Sequence, residues 1–241
     1  MKGGTRSERA RRHVLNTTFA LHVISFIFFF IAFVSPNWFQ SWPRVHSPFK
    51  RIGLWEVCFS GMILPTDIRQ KAYHGCWWLL TSYFNPIRDW LMPPWFITTM
   101  VVETLVLLLM VINLIITLVI WGTTASENRS GTGKKRMNDG ILAVSATITV
   151  IEAILQSVIV MVFGLAVYMD RNWQPLPYLN YLSWSYGLAV IAAFFLIFTS
   201  IAQISYTTME RNSWKRDPFT QGGNIQVPPP LYKSSMHSMR P

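Results

Sequence analysis

Four apolar runs constrain this chain more than any other feature: Val14 to Val34, Trp95 to Trp121, Ile141 to Tyr168 and Leu182 to Tyr206. Each has at least about 20 residues, so as a helix rising 1.5 Å per residue it crosses a ~30 Å hydrocarbon core. In hydrocarbon every backbone N–H and C=O must be paired inside the protein, and a helix of that length pairs its own. The charged fraction agrees: it is 13%, against about 25% in soluble domains, while 51% of residues are hydrophobic. The first run is too long for a signal peptide, and no small-residue cleavage site follows it. The expectation is an all-α membrane four-helix bundle.

Basic residues orient the bundle. The first segment, 1–13, carries Lys2, Arg6, Arg9, Arg11 and Arg12 against Glu8. The 122–140 connection carries Arg129, Lys134, Lys135 and Arg136 against Glu127 and Asp139. The 207–241 tail holds five basic and two acidic residues, whereas 169–181 has only Asp170 and Arg171. Short basic segments stay cytoplasmic. Both termini and 122–140 are therefore expected inside, and 35–94 and 169–181 outside. The formal charge of +10 is then positive-inside anchoring with attraction to anionic lipid, and it does not point to nucleic acid. Two glycosylation sequons, Asn16-Thr17-Thr18 and Asn128-Arg129-Ser130, fall in the first span and in a cytoplasmic segment, so neither is expected to be modified.

Only two cysteines occur, Cys58 and Cys76, and both lie in the long outer loop 35–94. Two cysteines sharing one outer loop read as a disulfide, because such bonds persist outside the cytosol. A unit of sixty residues has little core of its own and needs a staple of this kind. Gly53 to Gly61 is mostly apolar or aromatic and reads as a strand, with Cys76-Trp77-Trp78-Leu79-Leu80 as its partner.

Trp38 follows the first span, then come Gly53-Leu54-Trp55-Glu56-Val57-Cys58, Cys76, and Arg88 ahead of the second span. This resembles the claudin superfamily signature, a Trp, then GLW-x2-C, then a second Cys. Within the superfamily the chain looks most similar to divergent invertebrate members of septate junctions, the Pasiflora-type proteins of insects. The resemblance covers roughly Thr18 to Tyr206. It implies four helices, cytoplasmic termini and a small extracellular antiparallel β-sheet formed by the first loop, with Trp38 and Trp55 packed beneath it. Three features depart from the family pattern. Seventeen residues separate the cysteines, about twice the usual spacing; the cytoplasmic side has no cysteine for palmitoylation; and the end Ser238-Met239-Arg240-Pro241 lacks the hydrophobic last residue that PDZ domains capture.

Three ionisable residues fall within the spans, His22, Glu103 and Glu152, with Gln156 one turn from Glu152. An acid at the centre of a bilayer costs about 2.5 kcal/mol or more and needs a partner or a proton. Counting residues from the span ends makes a cluster of His22, Glu152 and Gln156 geometrically possible. A proton or ion path is one reading. Interhelical hydrogen bonding that fixes helix register is preferred, because two glutamates at different depths do not form a pore-facing stripe.

The tail is polar and reads as disordered. Its Pro229-Pro230-Leu231-Tyr232 fits the PPxY ligand of WW domains, which accept a preformed polyproline II helix. Signatures of catalysis are missing: there is no CxxC, no HExxH and no phosphate-cradling glycine loop, and His13, His46, His74 and His237 lack metal-ligand spacing. The expectation is a non-enzyme without cofactor or metal, at the plasma membrane in lateral cell–cell junctions of the septate or tight type. There it would bind copies of itself or other claudin-like proteins in cis and trans. An auxiliary gamma-type subunit of an ion channel or receptor is the alternative, followed by a small-solute transporter.

Overall fold

The computed structural model describes residues 6–64, 70–130, 139–170 and 173–216, with the backbone alone at 127–130 and 214–216. Four helices are long and apolar enough to cross a membrane: α1 (Arg6–Val34), α3 (Pro94–Ser130), α4 (Asp139–Met169) and α5 (Trp184–Arg216). α1 packs on α5 and α3, and α4 packs on the same two, so the four close into a ring. Their outer faces carry exposed Ile27, Phe30, Leu108, Ile115, Ile154, Phe194 and Phe198. Apolar side chains all round a helix belong to a membrane span.

Between α1 and α3 lie β1 (Phe39–Ser41), β2 (Phe49–Ile52), β3 (Glu56–Met62) and β4 (Tyr73–Trp78). A 3₁₀ turn (Ser82–Ile87) and the single-turn α2 (Arg88–Leu91) lead from β4 to α3. The sheet is antiparallel throughout, in the order β4-β3-β2-β1-β5. Its fifth strand, β5 (Asn180–Leu182), comes from the segment between α4 and α5.

Several element limits differ from the sequence expectations, among them the end of α3, which runs on to Ser130 past the expected Trp121, and the partner strand, which is Tyr73–Trp78 rather than Cys76 to Leu80. The strand expected from Gly53 starts at Glu56, because Gly53-Leu54-Trp55 forms the β2–β3 turn, closed by the Gly53 N–H donating to the Glu56 carbonyl at 2.8 Å. Leu182 belongs to β5 rather than to the last helix, its segment being paired edge to edge with β1. The sheet therefore draws on both loops, not on the first alone. Residues 207–216, expected in a disordered tail, continue α5 to Arg216. They are held by an ion pair at 3.0 Å between part-buried Arg11 and buried Glu210, and the same contact ties down the polar first turns of α1, ahead of its apolar run. The remainder of the tail, with Pro229, Pro230, Leu231 and Tyr232, lies outside the described residues.

The largest core cluster sits where the sheet meets the bundle. It joins Trp38, Phe39, Phe49, Ile52, Leu54, Val57 and Phe59 of the sheet to Phe96, Met100, Val160, Phe163 and Ala189 of the helices. Burial of this contiguous apolar surface fixes the sheet on the helix ends.

Candidate functional site

The sheet and its seam with the helices form the built surface of the molecule. Trp38, 1% exposed, is its centre. Its indole Nε1–H donates to the Ala32 carbonyl at 2.7 Å, one of the last carbonyls of α1, which have no partner inside their own helix. Its ring lies edge-on to Phe163 of α4 at 5.0 Å and to Tyr186 of α5 at 6.1 Å. Its backbone N–H donates to Ile52 of β2, and its carbonyl accepts from Ser183 ahead of α5. One residue thus ties β1 and β2 to three of the four long helices.

Gly53 is buried against the turn that leaves α1. A Cβ there would meet the Ser35 carbonyl oxygen and Pro36 Cα. Only glycine allows the β2–β3 turn to lie against that backbone. Leu54 fills the core beneath it at 0% exposure. Trp55 sits at the margin, half-buried, stacked on Trp78 at 5.6 Å and edge-on to Phe33 at 5.1 Å.

Cys58 and Cys76 are disulfide-bonded and lie directly opposite each other in the β3–β4 register. The long inter-cysteine segment is accommodated by extending the hairpin beyond the bond, through the pairs Phe59↔Gly75, Ser60↔His74 and Met62↔Tyr73. Glu56 lies beside both sulfurs, but joining the sulfurs to each other removes them as metal ligands. Arg51 on β2 faces Glu56 across the turn at 3.7 Å, both about 40% exposed. Arg88, at the start of α2, donates to the Asn85 side-chain oxygen at 2.6 Å and so braces the connection from β4 to α3. β4 is an edge strand, and Trp77 and Trp78 are exposed on it. Trp77 stacks on Tyr83 at 5.0 Å, while Lys71 Nζ lies 3.8 Å from the Tyr83 ring centroid.

The polar groups expected inside the spans occupy the bundle interior, in two sets. His22 Nε2 lies 3.6 Å from the Glu152 carboxylate. Gln156 does not close on His22. Its amide donates to Glu103 of α3 at 3.2 Å instead. Asn113 of α3 and Gln203 of α5 complete the network, though neither stood out in the sequence. Asn113 Nδ2 donates to Thr149 at 2.8 Å and reaches Glu152 at 3.5 Å, Ser145 donates to Asn113 at 2.8 Å, and Gln203 donates to Ser145 at 2.9 Å. A signal for Asn113 did exist. Ser145, Thr149, Glu152 and Gln156 recur at helical spacing and are all buried, as do Glu103, Val106, Met110, Asn113 and Thr117. The network joins all four long helices, so it sets their mutual rotation and register.

Trp173 was also missed. It is 4% exposed. It donates to the Leu91 carbonyl at 3.2 Å and packs on Trp95 at 4.8 Å and on Phe39 at 5.9 Å. Asn16 of the first sequon accepts from the Trp121 indole at 2.9 Å across α1 and α3.

Four membrane-length helices in a closed ring, capped by a disulfide-stapled sheet built from both loops of one end, define a tetraspan membrane protein with a folded cap. The GLW turn wedged against the end of α1, the Trp38 seam and the cysteine pair carry the family signature onto this geometry. The PMP-22/EMP/MP20/Claudin tight-junction family matches residues 23–205, and the chain belongs to it. It is a claudin-like plasma-membrane protein of the tight-junction type. No curated protein matches the chain.

Proposed function

We propose that this protein contributes to adhesion and to the paracellular barrier at lateral cell–cell junctions, as a non-catalytic component. In this reading both termini are cytoplasmic and the five-stranded cap stands outside the cell, the orientation that its short basic segments favour. Neighbouring copies, or other claudin-like proteins, bind in cis and trans. The observation that carries the reading is the cap itself. It is welded to the bundle by Trp38, stapled across β3–β4, and ends in an edge strand, β4, that carries two exposed tryptophans. A rigid surface with an open apolar edge is suited to pairing with another protein. Membership of a tight-junction family supports the same conclusion. The first-loop signature further favours assembly in a septate-type junction.

Depleting the protein from an epithelium tests this. Leak of a ~10 kDa inert dextran between cells should rise, an order-of-magnitude probe size set by the expectation that the contacts seal a narrow space, and junction partners should spread along the lateral membrane. An epithelium that stays tight, with its junction proteins in place, would overturn the barrier role. Co-purification with a channel pore in fixed ratio would then favour the auxiliary-subunit reading.

A further inference from the structure

A cavity of about 240 Å³ opens where the end of α4 meets the β1–β5 edge of the sheet. Its wall is mostly apolar, with Phe39, Val167, Trp173 and Leu182 among the lining residues. Two amides interrupt that wall. Gln174 is 3% exposed, and neither its side-chain oxygen nor its nitrogen has a hydrogen-bond partner among the described residues. Asn180 donates its amide N–H to the Pro175 carbonyl at 2.9 Å, but its Oδ1 is buried without a partner among the described residues. Unpaired buried groups of this kind cost about 1–3 kcal/mol each, and a native fold keeps them where something else satisfies them.

The position limits what that can be. The cavity lies at the end of a membrane span, and Tyr168 and Tyr178 on its lining are 67% and 81% exposed, as side chains at the headgroup level of a bilayer are. Asp170 also lines it, its carboxylate accepting from Trp95 Nε1 at 3.4 Å. A fixed carboxylate beside the site disfavours a phosphate headgroup. Gln174 Nε2 needs an acceptor, while Gln174 Oε1 and Asn180 Oδ1 need a donor. One hydroxyl accepts from Gln174 Nε2 and donates to Asn180 Oδ1, and a second hydroxyl or a water donates to Gln174 Oε1.

We infer that this cavity is a binding site for the headgroup of an uncharged, hydroxyl-bearing lipid that enters from the bilayer, its hydroxyl bonded to Gln174 and Asn180 and its apolar part against Phe39, Val167 and Leu182. A sterol and a monoacylglycerol share this chemistry. Neither the matched family nor the junction reading assigns such a site, and the inference does not depend on that reading.

The test uses the full-length protein in phosphatidylcholine nanodiscs, with clickable photoreactive probes of two kinds, a sterol and a monoacylglycerol. Each is compared with its O-methyl ether, which cannot donate. Crosslinks of a free-hydroxyl probe should map to residues 164–182. They should exceed those of its ether about tenfold, the worth of one to two hydrogen bonds, and fall by a similar factor in Gln174→Leu. Which of the two probes labels identifies the source of the hydroxyl. Labelling by ether and alcohol alike, labelling that ignores Gln174→Leu, or no labelling in this segment, as for a site filled by water alone, would each overturn the inference. If Gln174→Leu fails to fold, the comparison of alcohol with ether on the wild-type protein decides.

Discussion

Replacing Trp38 is the sharpest perturbation of the seam on which the cap stands. Trp38→Ala removes a fully buried indole that packs on Phe163 and Tyr186 and satisfies the Ala32 carbonyl at the end of α1. Truncations of this size cost about 3–5 kcal/mol. Trp38→Phe keeps most of the ring contacts and loses only the indole N–H, leaving the Ala32 carbonyl unpaired, for about 1–2 kcal/mol. Marginal folds are worth about 5–15 kcal/mol in total, so the alanine variant should be largely retained in the secretory pathway while the phenylalanine variant should reach the surface. Unfolding by steric trapping in bicelles would measure both costs. A double-mutant cycle with Phe163→Leu should return a coupling of about 0.5–1.5 kcal/mol, the usual size for an aromatic pair. Equal losses in the two variants would show that the hydrogen bond, not the packing, holds the seam. A loss below about 1 kcal/mol in Trp38→Ala would refute the reasoning altogether.

Three further outcomes are expected. Cys58→Ser leaves Cys76 unpaired and should cost about 2–5 kcal/mol, blocking surface delivery; normal delivery, or a free thiol in wild-type protein on non-reducing mass analysis, would contradict it. Glu152→Gln keeps hydrogen bonding to Asn113 and should leave folding and localisation intact, whereas Glu152→Leu should loosen the bundle by about 0.6–2 kcal/mol. A Gln variant that folds and localises normally yet loses function would point to a proton path instead. The first loop carries Arg44, Lys50, Arg51, Arg69, Lys71 and Arg88 against Glu56, Asp67 and Asp89, so Lys50→Glu with Arg51→Glu should shift residual paracellular permeability toward cations. Because Arg51 faces Glu56, its reversal also sets two carboxylates together and forfeits up to about 1 kcal/mol. Lys50→Glu alone, on an exposed strand position, is the cleaner variant. Unchanged selectivity in it would argue against a charged sealed space.

The sequence by itself determined the four spans, since a run of twenty or more apolar residues has no other way to satisfy its backbone in hydrocarbon. It also determined the disulfide, because two cysteines in one outer loop leave a single pairing. The polar residues inside the spans were equally legible one by one, their cost in hydrocarbon making each conspicuous. Their pairing was not. Whether Gln156 meets His22 or Glu103 depends on how each helix is rotated and tilted, and residue counts from the span ends carry neither. The turn at Gly53 was hidden for a related reason. Its run of apolar residues reads as strand, and only the approach of the Ser35–Pro36 backbone shows why a glycine turn is required there. Most of all, tertiary structure decided the reach of the cap. β5 is three residues long and Trp173 stands alone in its segment, so neither has a periodic signal. Both acquire their structure by docking on β1 and on the seam, contacts between residues more than 80 positions apart that local sequence does not encode.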